Sequence, residues 1–128
     1  MLEIVDGPDV EPVSLELARA HLNLDVDGEG SEAASPQDYW LESVGIPGVR
    51  AAAEEYTQQS LAEKTYRWTL DAFPSGAIGL PMPPLVSVTS VVYVDANGDE
   101  QTIDAASYAL SRTRQRGWIV PADGYSWP

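Results

Sequence analysis

Between Val49 and Phe73 the hydrophobic period of this chain changes, within VRAAAEEYTQQSLAEKTYRWTLDAF. Ala52, Ala53, Tyr56 and Gln59/Ser60 recur at three- and four-residue steps, the repeat of a helix. After Leu61, Tyr66, Trp68 and Leu70 alternate with Arg67, Thr69 and Asp71, the repeat of a strand. One helix therefore hands the chain over to a sheet. The N-terminal side of the handover reads as helical and acidic, and the C-terminal side reads as β-strands and turns. The class is α+β, and Tyr56 and Trp68 are expected in the packing between helix and sheet.

The segment before the handover divides in three. Residues 1–12 read as an extended arm ending at Pro12. Ser14 is a good helix N-cap with Glu16 in the first turn, where a carboxylate suits the helix dipole. Leu15, Ala18 and Leu22 give that first helix, about 14–24, its apolar face, widened by Leu17 and Leu24. Pro36-Gln37-Asp38 opens a second helix, about 37–45, with Tyr39, Trp40, Leu41 and Val44 on a wide apolar side. Gly45-Ile46-Pro47-Gly48 is expected to break or sharply kink it, because Pro47 lacks an N–H and disfavours helix at Ile46. A third helix resumes near Val49 and covers about 48–60, with Glu54 and Glu55 on a wet face.

The β half, about 65–120, is expected to form a small antiparallel sheet on which the helices pack. Its strands read as Thr65–Ala72, Ala77–Leu80, Val86–Asp95, Glu100–Ile103 and Trp118-Ile119-Val120, with Tyr108-Ala109-Leu110 before the loop Arg112–Gly117. Val86–Asp95 is the clearest of them, because it is rich in β-branched residues. Ala96-Asn97-Gly98-Asp99 suits a hairpin turn, since Asn-Gly tolerates positive φ. Pro81-Met82-Pro83-Pro84 cannot join a sheet interior and reads as a rigid connector. The tail PADGYSWP is aromatic and turn-like. The whole reads as one domain, 1–128, with an arm (1–12), a helical part (13–62) and a β part (63–128).

Charge narrows the function. Twenty acidic residues against seven basic ones give a net charge of −13. Such a surface repels a nucleic-acid backbone, whose affinity for proteins is built from Lys and Arg on phosphates. The basic residues are uneven, with Arg112, Arg114 and Arg116 close together. That asymmetry is compatible with head-to-tail contact between copies, an acidic face against a basic loop. No cysteine is present, so disulfides, zinc–thiolate sites and thiol nucleophiles are excluded. No apolar run is long enough to span a membrane, and the acidic N-terminus lacks the positive stretch of a secretory signal.

Catalytic signatures are missing. The chain carries neither a Gly-rich phosphate loop nor a GxSxG elbow, and His21 is the single histidine. Asp25, Asp27, Glu29 and Gly30 match positions 1, 3, 5 and 6 of a calcium loop, but Pro36 stands where the bidentate Glu is needed. An acidic solvated loop is expected there. No catalytic residue, metal site or cofactor is assigned, and the chain is expected not to be an enzyme. Trp118, Tyr125 and Trp127 lie among Gly and Pro near the end; they are interface anchors or caps of a small core.

Three stretches carry a family resemblance. They are Pro12-Val13-Ser14-Leu15, Glu55-Tyr56-Thr57 with Ser60-Leu61 and Thr65, and Leu80-Pro81 with Pro84-Leu85-Val86-Ser87-Val88. Over residues 12 to about 128 the chain resembles the head–tail connector (adaptor) proteins of tailed bacteriophages and gene transfer agents. The resemblance implies a virion structural protein that forms a ring, usually of twelve copies, between the portal and the tail or neck. The ring extends the DNA channel and docks the next neck protein, a stopper or tail terminator. DNA passes without specific binding, which suits an acidic wall. The implied partners are further copies, the portal and that next protein, with no membrane. The implied place is the virion neck, and the host cytoplasm during assembly. Such relatives write the helix around Pro47 as one segment, and many continue past the position of Trp127-Pro128 with a strand and a portal-docking helix. Residues 1–12 and the loop 112–117 are candidate contacts between copies or with neighbouring proteins, and Arg112, Arg114, Arg116, Trp118, Tyr125 and Trp127 are the candidate interface residues. The alternative is a small soluble protein-binding adaptor with no capsid role; a metal-using hydrolase is a further rival.

Overall fold

The computed structural model describes residues 1–24 and 36–128. The acidic 25–35 stretch, with the calcium-loop positions, lies outside them. The fold is mixed helix and antiparallel sheet, the α+β class expected. The chain divides into two compact units: Ile4–Thr65, and Met1–Glu3 with Tyr66–Pro128.

Strand β1 (Leu2–Asp6) opens the chain. It pairs with β2 (Thr65–Trp68) in a two-stranded sheet. Part of the expected extended arm is therefore strand. In the unit holding Met1–Glu3, the terminal ammonium donates to the Thr69 carbonyl at 2.6 Å, and the Thr69 N–H donates to the Met1 carbonyl at 2.9 Å.

Helix α1 (Leu15–His21) starts where Ser14 predicts, with the Leu17 N–H donating to Ser14 Oγ at 3.2 Å. It stops earlier than position 24. Asn23 takes φ 51, and the Asn23 and Leu24 N–H groups fold back onto the Ala20 and Arg19 carbonyls at 3.3 and 3.0 Å. That paired closure, with a left-handed residue just past the helix, satisfies carbonyls that a longer helix would otherwise use.

The chain from Pro36 to Thr57 is one unbroken helical run, contrary to the break expected at Pro47. Helix α2 (Pro36–Trp40) passes into a π-turn (Leu41–Gly45) and then α3 (Ile46–Thr57). The Ile46 N–H donates to the Leu41 carbonyl, one residue further back than in an α-helix. The widened turn places Pro47 in the first turn of α3, where its fixed φ suits the helix and the shifted hydrogen-bond register accommodates it. Gly45 lets the Trp40 ring lie close in this turn, since a Cβ there would come within 2.9 Å of that ring. Helix α3 ends before Ser60, where Gln58 adopts φ 54.

Three small sheets replace the single sheet expected. Besides β1–β2, the order β3–β7–β6 is built from β3 (Ile78–Leu80), β7 (Gly117–Pro121) and β6 (Tyr108–Arg112), all antiparallel. Ile119 sits between Ile78 and Leu110 in register, and Ile78 and Ile119 are the buried apolar side chains of this unit. Gly117 is buried against Leu85, and a Cβ on it would meet Leu85 Cβ at 2.7 Å.

The third sheet is the hairpin foreseen at Asn97-Gly98. Strands β4 (Val92–Val94) and β5 (Glu100–Thr102) pair with Val94 opposite Glu100. Gly98 has φ 91, and Asp95 Oδ1 accepts from the Asn97 and Asp99 N–H groups at 2.8 and 3.1 Å. Those amide bonds, Asp99 foremost, hold the Asp95 carboxyl below its ordinary pKa. The long strand expected over Val86–Asp95 shortens to three residues. β-Branched residues favour extended backbone but do not supply a partner. Val86–Ser90 joins no ladder, and the Val86 carbonyl accepts instead from Arg112 Nη1 at 2.6 Å.

Candidate functional site

Charges are sorted by the fold. In the Ile4–Thr65 unit, Glu54 on α3 is only 4% exposed. Its Oε2 accepts from Arg50 Nη1 at 2.8 Å and from Lys64 Nζ, and its Oε1 accepts from the Leu61 N–H at 2.9 Å. Arg50 in turn forms a two-pronged pair with Glu11, at 2.6 and 3.1 Å. One carboxylate thus ties α3 to the segment after it, and Arg50 ties in the segment before α1. The wet face expected for Glu54 and Glu55 holds for Glu55 alone, which is exposed. Burial alone would raise the Glu54 pKa, but the Lys64, Leu61 and Arg50 bonds outweigh it and hold the carboxyl below its ordinary range. The Arg50 guanidinium is raised, chiefly by its bonds to Glu11. The same unit buries Asp38, on which Arg19 closes with both Nε, at 2.6 Å, and Nη2. The one sequence signal for the Glu54 cluster is the i,i+4 spacing of Arg50 and Glu54.

The apolar side chains of the helical run are distributed the other way. Leu41 is buried, but Trp40, Val44, Val49 and Tyr56 are exposed, Tyr56 at 90%. Tyr56 is therefore not in a core, and Trp68, in the other unit, is also exposed, at 38%. The charged side chains of Asp38, Arg50 and Glu54 occupy buried positions of the run instead. The first helix buries no residue fully.

The six expected interface residues separate into two groups. Arg112, Arg114, Arg116 and Trp118 share the β6–β7 hairpin, whose tip is closed by the Thr113 N–H on the Arg116 carbonyl at 2.7 Å. All three arginines are exposed, and Trp118 is half-buried in β7 opposite Gly79 and Ser111. Tyr125 is exposed in the tail. Trp127 turns into its own unit: it stacks on Phe73 with ring centroids 5.4 Å apart, and its Nε1 donates to the Gly76 carbonyl at 2.7 Å. Phe73 also meets Tyr93 edge-on. Trp127→Ala removes a stacked pair and one hydrogen bond, and is expected to cost about 2 kcal/mol in urea unfolding; a loss below about 0.5 kcal/mol would mean that the tail is not pinned.

A hollow of about 500 Å³ opens between segments 6–12 and 61–65, and another of about 330 Å³ beside Phe73 and Ile78. The first is edged by Asp6, Asp9, Glu11 and Glu63. Among the described residues no group of three or more His, Asp or Glu side chains is arranged to hold a metal ion, and no helix is long and apolar enough to cross a membrane.

No protein-family model matches the chain, and no curated protein does. Among solved structures, the chain is similar to one in a structure described as the neck of an empty GTA (gene transfer agent) particle, computed with C6 symmetry. The identity is 30% and the TM-score 0.76, over 100% of this chain. The chain spans 63% of that neck chain's length.

Proposed function

We propose that this protein is a structural component of a particle neck, a head–tail connector that forms a ring between portal and tail. The single observation that carries the reading is the likeness, over the whole of this chain, to a neck chain of a gene transfer agent particle. A neck with six-fold symmetry repeats its chains in multiples of six, which is compatible with the twelve copies usual for connectors. The proposed partners are other copies, the portal, and the next neck or tail protein, and the proposed place is the neck of the particle after assembly in the host cytoplasm.

The physical features fit such a role. The helical run exposes Trp40, Val44, Val49 and Tyr56, apolar area that a subunit in an assembly has neighbours to cover. The net charge of −13 gives a channel wall that repels duplex DNA evenly, so DNA slides where a basic wall would hold it. No catalytic step is assigned to the chain. Electron microscopy of the purified protein mixed with its cognate portal tests the proposal. Rings stacked on the portal are expected. A protein that stays monomeric and leaves the portal bare would instead support the soluble adaptor reading.

A further inference from the structure

The β6–β7 hairpin supports a more specific assignment, which rests on the neck reading. Of the seven Lys and Arg residues, four are ion-paired within the chain. Arg19 pairs with Asp38, Arg50 with Glu11 and Glu54, Lys64 with Glu54, and Arg67 with Glu3. The other three are Arg112, Arg114 and Arg116. Among the described residues none of these three has a carboxylate partner, and Arg112 is engaged with the Val86 carbonyl. Arg114 and Arg116 are exposed at the tip. The backbone beneath them is fixed: the Thr113 N–H bonds to the Arg116 carbonyl, and the Arg116 N–H bonds to Thr113 Oγ1 at 3.0 Å. The turn thus presents two guanidinium groups, whose planar forks match carboxylates.

The opposite charge is abundant on every copy. Asp6, Asp9, Glu16, Glu42, Glu55 and Glu63 are all exposed in the Ile4–Thr65 unit. Copies carrying −13 each repel one another, so a ring of them needs a compensating attraction. We propose that Arg114 and Arg116 of one copy engage surface carboxylates of the adjacent copy. Such a contact joins two different surfaces, and repeated heterologous contacts close into a ring where the rotation from copy to copy adds up to a full turn. The hairpin offers too few cations to grip a duplex against the charge of the rest of the chain, because affinity for DNA grows with the number of phosphates neutralised.

The test uses the full chain assembled on its portal, with ring formation followed by mass photometry between 0.05 and about 0.5 M salt. Arg114→Glu with Arg116→Glu is expected to raise the concentration needed for rings on the order of 100-fold, while wild-type rings weaken with salt. The melting curve of the variant is expected to match wild type, because both side chains are exposed. Arg114→Lys with Arg116→Lys is expected to keep the rings. With carbodiimide it is expected to cross-link those lysines to Asp or Glu of a second copy, read by peptide mapping. Charge-reversed rings that form as well as wild type would overturn the hairpin assignment and leave the neck reading standing. Loss of binding to a 30-base-pair duplex on charge reversal, with rings intact, would overturn it in favour of a phosphate contact. Wild-type protein that forms no ring on the portal would overturn both.

Discussion

Glu54→Ala is expected to destabilise the protein by about 3–5 kcal/mol, the cost of breaking a buried ion cluster by removing its shared partner. The side chains of Lys64 and Arg50 are only 3% and 10% exposed. Without Glu54, Lys64 is a buried cation with no counter-charge, and the Leu61 N–H loses its acceptor. Arg50 keeps Glu11, so the loss centres on Lys64. A thermal melt should show a drop of more than about 12 °C for a unit of this size. Glu55→Ala, one residue away and exposed, is expected to stay within about 0.5 kcal/mol of wild type. The cluster also sets the acid response. Because the folded pKa of Glu54 is lowered, its stabilisation is present above the ordinary glutamate value of about 4.3 and is lost as pH falls from there through the folded value. Glu54→Ala should flatten this acid limb, which urea titrations at a series of pH values will read.

Ile119→Ala is the second large effect, expected at about 2–5 kcal/mol. Ile119 is 4% exposed and occupies the middle strand of the β3–β7–β6 sheet, flanked by Ile78 and Leu110. Truncation leaves a void that two neighbouring strands, fixed by their ladders, cannot close. Ile119→Val removes one methylene and should cost about 0.5–1.5 kcal/mol, so the pair of variants gives a slope for packing at one site. Both are read from urea unfolding. Equal, small losses for the two would mean that the sheet is loosely packed around this position.

The parts of the fold legible in the sequence are those decided by local chemistry. Ser14 caps a helix because its hydroxyl reaches the Leu17 N–H, and Gly98 turns a hairpin because it accepts a positive φ. The α+β class rests on a change of period, which survives errors in individual boundaries. The illegible parts depend on partners distant in sequence. Val86–Ser90 has strand composition but no neighbouring strand to pair with. Pro47 looks like a breaker until the π-turn before it shifts the hydrogen-bond register by one residue. Glu54 looks like a surface residue until Lys64, ten positions on, is seen to close over it. The same limit applies to the candidate site. Clustering of Arg112, Arg114 and Arg116 is visible in the sequence, and the hairpin gathers them. Trp127 is also conspicuous there, yet only the fold reveals that it lies on Phe73. The exposed tyrosine at position 56 has the spacing of a core residue, because period reports one face of a helix and not which face is covered.

Cryo-electron microscopy of particles purified from the producing host, with mass spectrometry of the same preparation, will show whether this chain is a neck component. The chain is expected in the particles, its fold accounting for a ring between portal and tail in a copy number that is a multiple of six. Particles with a complete neck built from other chains, and with this chain absent from their composition, would contradict it.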